Sequence, residues 1–423
     1  MAESLFKHSD FMKLWIGQTI SVFGAQFSPI AIQFAALYML NAQRIQYGIL
    51  SAAGTVPFLI FGLPVGVWAD RYRKKRTMIV ANIARAIILA SVPLAWLVGV
   101  LSMTEFYVVA FVTGVLAVFF EICYQSYLPT LVERSQLVDA NSKLQTSQAT
   151  GGGIGPALAG AVVSVVSAPL AIFGDVVGYI CSVGFLSSIK KTESVVLRVA
   201  GRSTWADIRE GLAIVAKDVR LRSIVGCSAT ASLFSQAYGA ILIPFMVQDF
   251  GFGAFEVGLV LSASAVGGIL GAAVSQRIPR RIGVGPTIIL SAVGFSVIPI
   301  GLYFAAGDDA FPVLAVVLSV SSFAAVVYNV SQVSFRQALV SIGLQGRINA
   351  TNRTIVWGML PVGGLLGGVL AQVFGYHLAV GICVFSGLLA ILWVLFSPVR
   401  RIREIPGLPE IESSYAASAP PSA

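Results

Sequence analysis

The chain is a succession of apolar runs, each long enough to cross a bilayer. A membrane-spanning helix needs roughly 20 predominantly apolar residues. Twelve runs meet that length: 14 to 39, 47 to 69, 77 to 100, 105 to 127, 144 to 167 and 169 to 189, then 222 to 247, 255 to 276, 283 to 306, 311 to 334, 352 to 374 and 377 to 398. Inside hydrocarbon, backbone N–H and C=O groups must be satisfied within the protein, so such runs fold as helices. The expected fold class is therefore an all-α membrane protein with twelve transmembrane helices. Charged residues are 11% of the 423 positions and hydrophobic ones 57%. A soluble domain carries about 25% charged residues, so that class is excluded.

The net charge of +9 comes from short basic clusters between apolar runs, not from one polar face. That pattern speaks against a nucleic-acid partner and for a topology signal. Cytoplasmic loops carry an excess of Lys and Arg. Placing both termini inside puts 26 of the 28 basic residues on the cytoplasmic side, leaving Arg44 outside and Arg85 within a span. The amino-terminal stretch has no basic region ahead of a short apolar core, so no signal peptide is expected.

Four segments follow: a six-helix bundle over 1–189, a cytoplasmic linker over 190–221 with a short amphipathic helix at Trp205 to Lys217, a second six-helix bundle over 222–399, and a disordered tail over 400–423. Shifting the sequence by 208 positions superposes 121–172 on 329–380 with eleven identities, among them Asn141 with Asn349, Gly155 with Gly363 and Gly160 with Gly368. Two pseudo-symmetric halves that run in the same direction, with a site between them at the midplane, are the architecture of an alternating-access transporter.

The residues also resemble a family, the major facilitator superfamily. "GVWADRYRKKR", Gly66 to Arg76, is similar to its signature loop between the second and third helices, and "GGGIGPALAG", Gly151 to Gly160, to the fifth-helix motif of its antiporters. "LWIGQTIS", "DANSKLQ", "GRINATNR" and "WGMLPVGGLLGG" resemble its bacterial exporter branch of macrolide efflux proteins and the enterobactin exporter. The resemblance implies a protein of a bacterial cytoplasmic membrane that exports a small compound in exchange for protons. It also implies a latch stabilising the outward-open state, built on Gly66, Asp70, Arg71 and Lys74. The matching loop of the second half, "GAAVSQRIPRR", has Ser275 where the acid would be, so the latch is one-sided.

From the residues themselves, Asp70 lies at the inner end of the second span, facing the positive end of the eleventh-helix dipole near Asn352. Pro156 bends the fifth span, and Gly151, Gly155 and Gly160 let a neighbour approach closely. Ionisable groups deep in a span are by default functional. Glu121 is the expected proton-coupling acid with Arg85 as its modulator, and Asp175 is the second candidate. Arg336 and Arg353, near inner span ends, are expected to snorkel toward lipid phosphates. Gln18, Gln26, Gln33, Gln148, Gln236, Asn329, Gln332 and Trp357 are candidates to line a weakly charged cavity for a lipophilic or amphipathic solute.

No phosphate-binding G-x-x-x-x-G-K-[ST] loop occurs, so neither ATP nor another cofactor is expected beyond the proton gradient. His8 and His377 stand at membrane edges and the four cysteines lie inside apolar runs, so neither an enzyme active site nor a metal site is expected. The expected partners are a small-molecule substrate and the lipid bilayer, with the protein a monomer. An importer or facilitator of the same fold remains an alternative, and a non-transporting receptor or scaffold is a more distant one.

Overall fold

The computed structural model describes residue 5 and residues 8–69, 73–133, 136–191, 204–340 and 342–403. The first half contains α1 (Ser9–Gly24) and α2 (Phe27–Tyr38), which form one broken span, then α3 (Arg44–Ala69), α4 (Lys74–Val98), α5 (Met103–Leu131) and α6 (Leu137–Val165). Its last span is α7 (Ala168–Ala171) followed by α8 (Phe173–Ser188). The linker contributes α9 (Thr204–Lys217). In the second half come α10 (Val219–Phe250), α11 (Ala254–Val274), the short α12 (Arg277–Ile282), α13 (Val284–Val297) continued by α14 (Gly301–Phe304), α15 (Ala310–Leu339), α16 (Ile342–Phe374), and α17 (Tyr376–Ser386) with α18 (Leu389–Leu395).

Eleven of these helical segments are long and apolar enough to cross a membrane. The twelfth expected span, α6, is 29 residues long but opens on Asp139, Asn141, Ser142, Lys143, Gln145, Thr146, Ser147 and Gln148. Its polar first half is why length and composition alone do not mark it as a span, although it packs against α1, α2 and α11. Large apolar side chains such as Ile87, Leu97, Leu290 and Val316 are exposed on the helices, as hydrocarbon-facing residues are. Helix ends are closed locally: Ser102 caps α5 by accepting from Glu105 N at 3.3 Å, and Gly99 and Gly251 take left-handed conformations after α4 and α10.

Ser9, Ser188, α9 and Arg403 mark one end of the bundle, here called basal, and Arg44 and Tyr376 mark the distal end. At the basal end Lys13 Nζ donates to the Ser188 carbonyl at 2.9 Å and Arg347 pairs with Glu210 of α9 at 2.7 Å. The tail expected to be disordered from 400 is ordered as far as Arg403, because Val284 N and Gly285 N donate to the carbonyls of Arg403 and Ile402. The remainder of the tail, from 404, lies outside the described residues, as does 192–203 of the linker.

Helix pairing repeats between halves. α3 packs on α5 as α11 packs on α15, while α6 on α11 and α3 on α16 join the halves. Both joints close on glycine. Gly48 of α3 is so near Gly368 of α16 that a Cβ there would lie 2.7 Å from its Cα. Gly160 of α6 abuts the Ala254 carbonyl and Gly258 of α11. All four glycines belong to the distal half of their helices. The hydrophobic core follows the same division. One distal cluster contains residues of both halves, including Phe34, Tyr47, Phe245 and Tyr376. At the basal end there are two clusters, one around Phe11, Tyr127 and Leu186 and another around Leu221, Phe335 and Val394. The halves are thus fused distally and separately packed basally.

Candidate transport cavity

Between the halves lies a cavity of about 1170 Å³ lined by α10, α13, α15 and α16, with Gln125 and Gln145 reaching it from the first half. A second chamber of about 450 Å³ is lined by the first half together with Arg353 and Trp357, and a third of about 510 Å³ runs on toward Gln236 of α10. Shared lining residues join the chambers: Gln125, Arg353 and Trp357 between the first two, Arg85, Phe58 and Tyr179 between the second and third. Small-molecule sites occupy roughly 300–1,000 Å³, so the space suits a drug-sized solute.

The polar residues expected at a cavity wall are distributed over these chambers. Gln18, Gln26 and Gln148 line the second, Gln33 the third, and Asn329 and Gln332 the first. Gln236 donates to Ser51 Oγ across the halves at 2.8 Å. Trp357 meets Phe58 of α3 edge-on at 5.2 Å, placing an aromatic contact where the chambers join.

The charged groups are arranged differently from the expectation. Arg85 and Glu121 line the same chamber, but the Arg85 guanidinium donates to Asn82 Oδ1 at 3.4 Å, lies 5.3 Å from the rings of both Phe120 and Tyr179, and lines the third chamber together with the buried Asp175 of α8. Asp175 Oδ2 accepts from Ser28 Oγ of α2 at 2.6 Å, and its Oδ1 is buried without a hydrogen bond. This acid therefore ties two spans of the first half, α2 through Ser28 and its own helix, in a cavity wall that Arg85 of α4 shares. Glu121 accepts from Gln125 at 2.6 Å and interacts electrostatically with Arg353 of the opposite half. The two acids line different chambers: Arg85 is common to both, Glu121 shares its chamber with Arg353 and Trp357 of the second half, and Asp175 lines the next one.

Arg336 and Arg353 do not snorkel. Arg336 is buried, with its terminal nitrogens donating to Gln332 and Asn349, and Arg353 stacks 3.8 Å above the Trp357 ring. Both line the cavity, where each has a partner one turn away on its own helix, Gln332 for Arg336 and Trp357 for Arg353, and Arg336 a second on α16, Asn349. A signal for this was present in the repeat, since Asn349, which holds Arg336, is one of the identities with the first half.

The fifth-span glycines do two jobs. Gly151 meets Val22 of α1 and Gly155 meets the Gln26 side chain, whereas Gly160 faces α11 across the halves. Pro156 sits inside α6 with its carbonyl against Gly258. Of the loop residues expected to form a latch, Gly66 falls in the last turn of α3 and Lys74 begins α4, while Asp70 and Arg71 lie outside the described residues.

Two repeated halves around a central cavity are matched by a known sequence family: the Major Facilitator Superfamily pattern covers residues 14–361. The chain belongs to the major facilitator superfamily. It is a member of a family of membrane transporters. Similar proteins include the multidrug efflux pump Tap of Mycolicibacterium fortuitum, 24% identical over 381 residues, which cover 86% of this chain and 90% of Tap. Macrolide efflux protein A of Streptococcus pyogenes is 23% identical over 422 residues, 93% of this chain and 97% of that protein. In fold, the chain is similar to a bacterial homologue of the iron transporter ferroportin in an inward-facing state, with a TM-score of 0.75 at 15% identity over 93% of this chain and 99% of that one.

Proposed function

We propose that this superfamily member is a proton-coupled exporter of a small amphipathic organic compound in a bacterial cytoplasmic membrane. It spans the membrane twelve times, has both termini in the cytoplasm and works as a monomer without nucleotide. The observation that carries the reading is the cavity of about 1170 Å³ between halves that are fused at one end only. With the basic loops cytoplasmic, the basal end is the inner face and the cavity loads from inside. Rocking the halves about the distal glycine joints would open the other face, as alternating access requires. The efflux proteins among the similar sequences support the outward direction.

Asp175 is the better placed of the two acids to carry the proton. Its protonation removes a charge from the cavity wall that Arg85 shares and loosens the Ser28 contact, so the packing of two spans responds to proton occupancy. Asp70, Arg71, Lys74 and Gly66 form the inner latch of the outward-open state.

Transport into everted vesicles tests this reading. A macrolide, a siderophore and a cationic dye should be screened with and without an imposed acidic lumen. Accumulation should require the gradient and vanish with a protonophore. Gradient-independent equilibration would leave a facilitator instead.

A further inference from the structure

The larger cavity is unevenly charged. Among the described residues lining it are two guanidinium groups, Arg336 and Arg353, and no carboxylate. Arg353 is stacked on Trp357 and also lines the adjoining chamber, which holds the carboxylate of Glu121. Arg336 is only 6% exposed and is held by neutral amides: it donates to Gln332 Oε1 and to Asn349 Oδ1, both at 3.1 Å. Its Nε is buried with no hydrogen-bond partner. A guanidinium cannot shed its charge and has five donors in a fixed fork, so this one keeps a full positive charge and an unpaired buried donor in the wall of the cavity.

The repeat shows that the fold itself needs no charge at this place. Under the 208-residue shift, Arg336 corresponds to Leu128, a buried member of the first half's basal core. Replacing a buried ion by a well-packed apolar residue is often neutral or stabilising, so packing gives no reason for the arginine. Beside it, Tyr328 and Phe295 meet edge-on at 5.0 Å, and with Trp357 they give the same cavity an aromatic wall.

We propose that the cavity binds an organic anion, a carboxylate, sulfonate or phosphate on an apolar or aromatic body. Arg336 takes the anionic group and Tyr328, Phe295 and Trp357 contact the body. This rests on reading the cavity as the transport site, and it narrows the lipophilic solute suggested by the sequence to one with a negative charge. Positive potential at the cavity also draws such a solute in from the basal side.

The experiment compares three probes with the same body: 1-pyrenebutyrate, 1-pyrenebutanol and 1-pyrenebutylammonium. Each is titrated into the full chain in phosphatidylcholine nanodiscs, read by tryptophan-to-pyrene energy transfer, with empty discs subtracting bilayer partition. The butyrate should bind saturably and at least about tenfold more tightly than the ammonium, the scale of one charge-assisted hydrogen bond. Arg336→Gln should erase that preference and Arg336→Lys should keep part of it. Equal or tighter ammonium binding, no saturable butyrate binding, or an unchanged preference in the Gln variant would overturn the proposal. Should Arg336→Gln aggregate, Arg336→Leu, which installs the residue of the repeat, replaces it, and the wild-type probe series decides alone if neither folds. The vesicle assay fails separately. Gradient-driven export of cationic dye but not of anions sinks the anion proposal alone, whereas Arg336-dependent butyrate binding without any export sinks only the exporter reading.

Discussion

At the residue scale, Asp175 and Arg85 raise the sharpest question, because a buried acid that only holds Ser28 and one that carries a proton have the same geometry. Removing the Asp175 carboxylate leaves the buried Arg85 guanidinium with the Asn82 amide and two aromatic rings as its neighbours, at a cost below the roughly 3–5 kcal/mol of breaking a buried pair in contact. Asp175→Asn should therefore lower the melting temperature and also abolish gradient-dependent export. Adding Arg85→Gln should restore much of the stability, since the stranded charge is gone. If Asp175 carries the proton, coupling stays lost in the double variant; recovery of gradient-driven export there would reduce the pair to scaffolding. Glu121→Gln is expected to keep gradient dependence, because Glu121 is hydrogen-bonded to Gln125 and lines a different chamber from Asp175. Loss of gradient dependence in that variant, with an intact fold, would return the proton to Glu121.

At the scale of elements, the two glycine joints decide how α6 meets α11 and how α3 meets α16. A side chain at Gly160 would collide with the Ala254 carbonyl, while nothing lies within 4 Å of the Cβ position at Gly152 on the same helix. Gly160→Leu should therefore overpack the distal joint by about 1–3 kcal/mol and stop export, while Gly152→Ala should leave stability and transport near wild type. Thermal melting and vesicle uptake on the same preparations check both. A tolerated Leu at Gly160 would mean that the distal joint is not under close packing in the working cycle.

At the scale of the molecule, one shared distal core and two separate basal cores predict coupled motion of the ends. Spin labels at exposed Arg76 and Arg281 report the basal gap, and labels at Thr104 and Asp308 the distal one. As an acidic pH or an added solute shifts the cycle, the basal distance should shorten while the distal distance lengthens. Distances that change in the same direction at both ends would contradict a rocking mechanism. The same assay with Asp70→Asn addresses the latch: that variant should populate the outward-open distances less than wild type.

Much of this was legible without coordinates. Apolar runs dictate helices because hydrocarbon leaves the backbone no other partner, basic loops order the ends, and the 208-residue shift announces two halves. Even α9 follows from a short amphipathic pattern, appearing at Thr204–Lys217 where Trp205 to Lys217 was expected. What the sequence by itself left open was direction around each helix. In a helix that is apolar on nearly every side, periodicity does not say which face meets lipid, a neighbour or the cavity. So Arg336 and Arg353 read as lipid-facing, although Gln332 and Trp357 stand one turn from them on the same helices; the partner that helix packing adds is Asn349 of α16 for Arg336. Likewise Arg85 lines a cavity with Asp175, 90 positions away in the chain, because α4 and α8 pack side by side. Charge and hydropathy are local properties that a sequence carries openly, whereas the partner of a buried charge is a consequence of which helices touch, and only the tertiary structure fixes that.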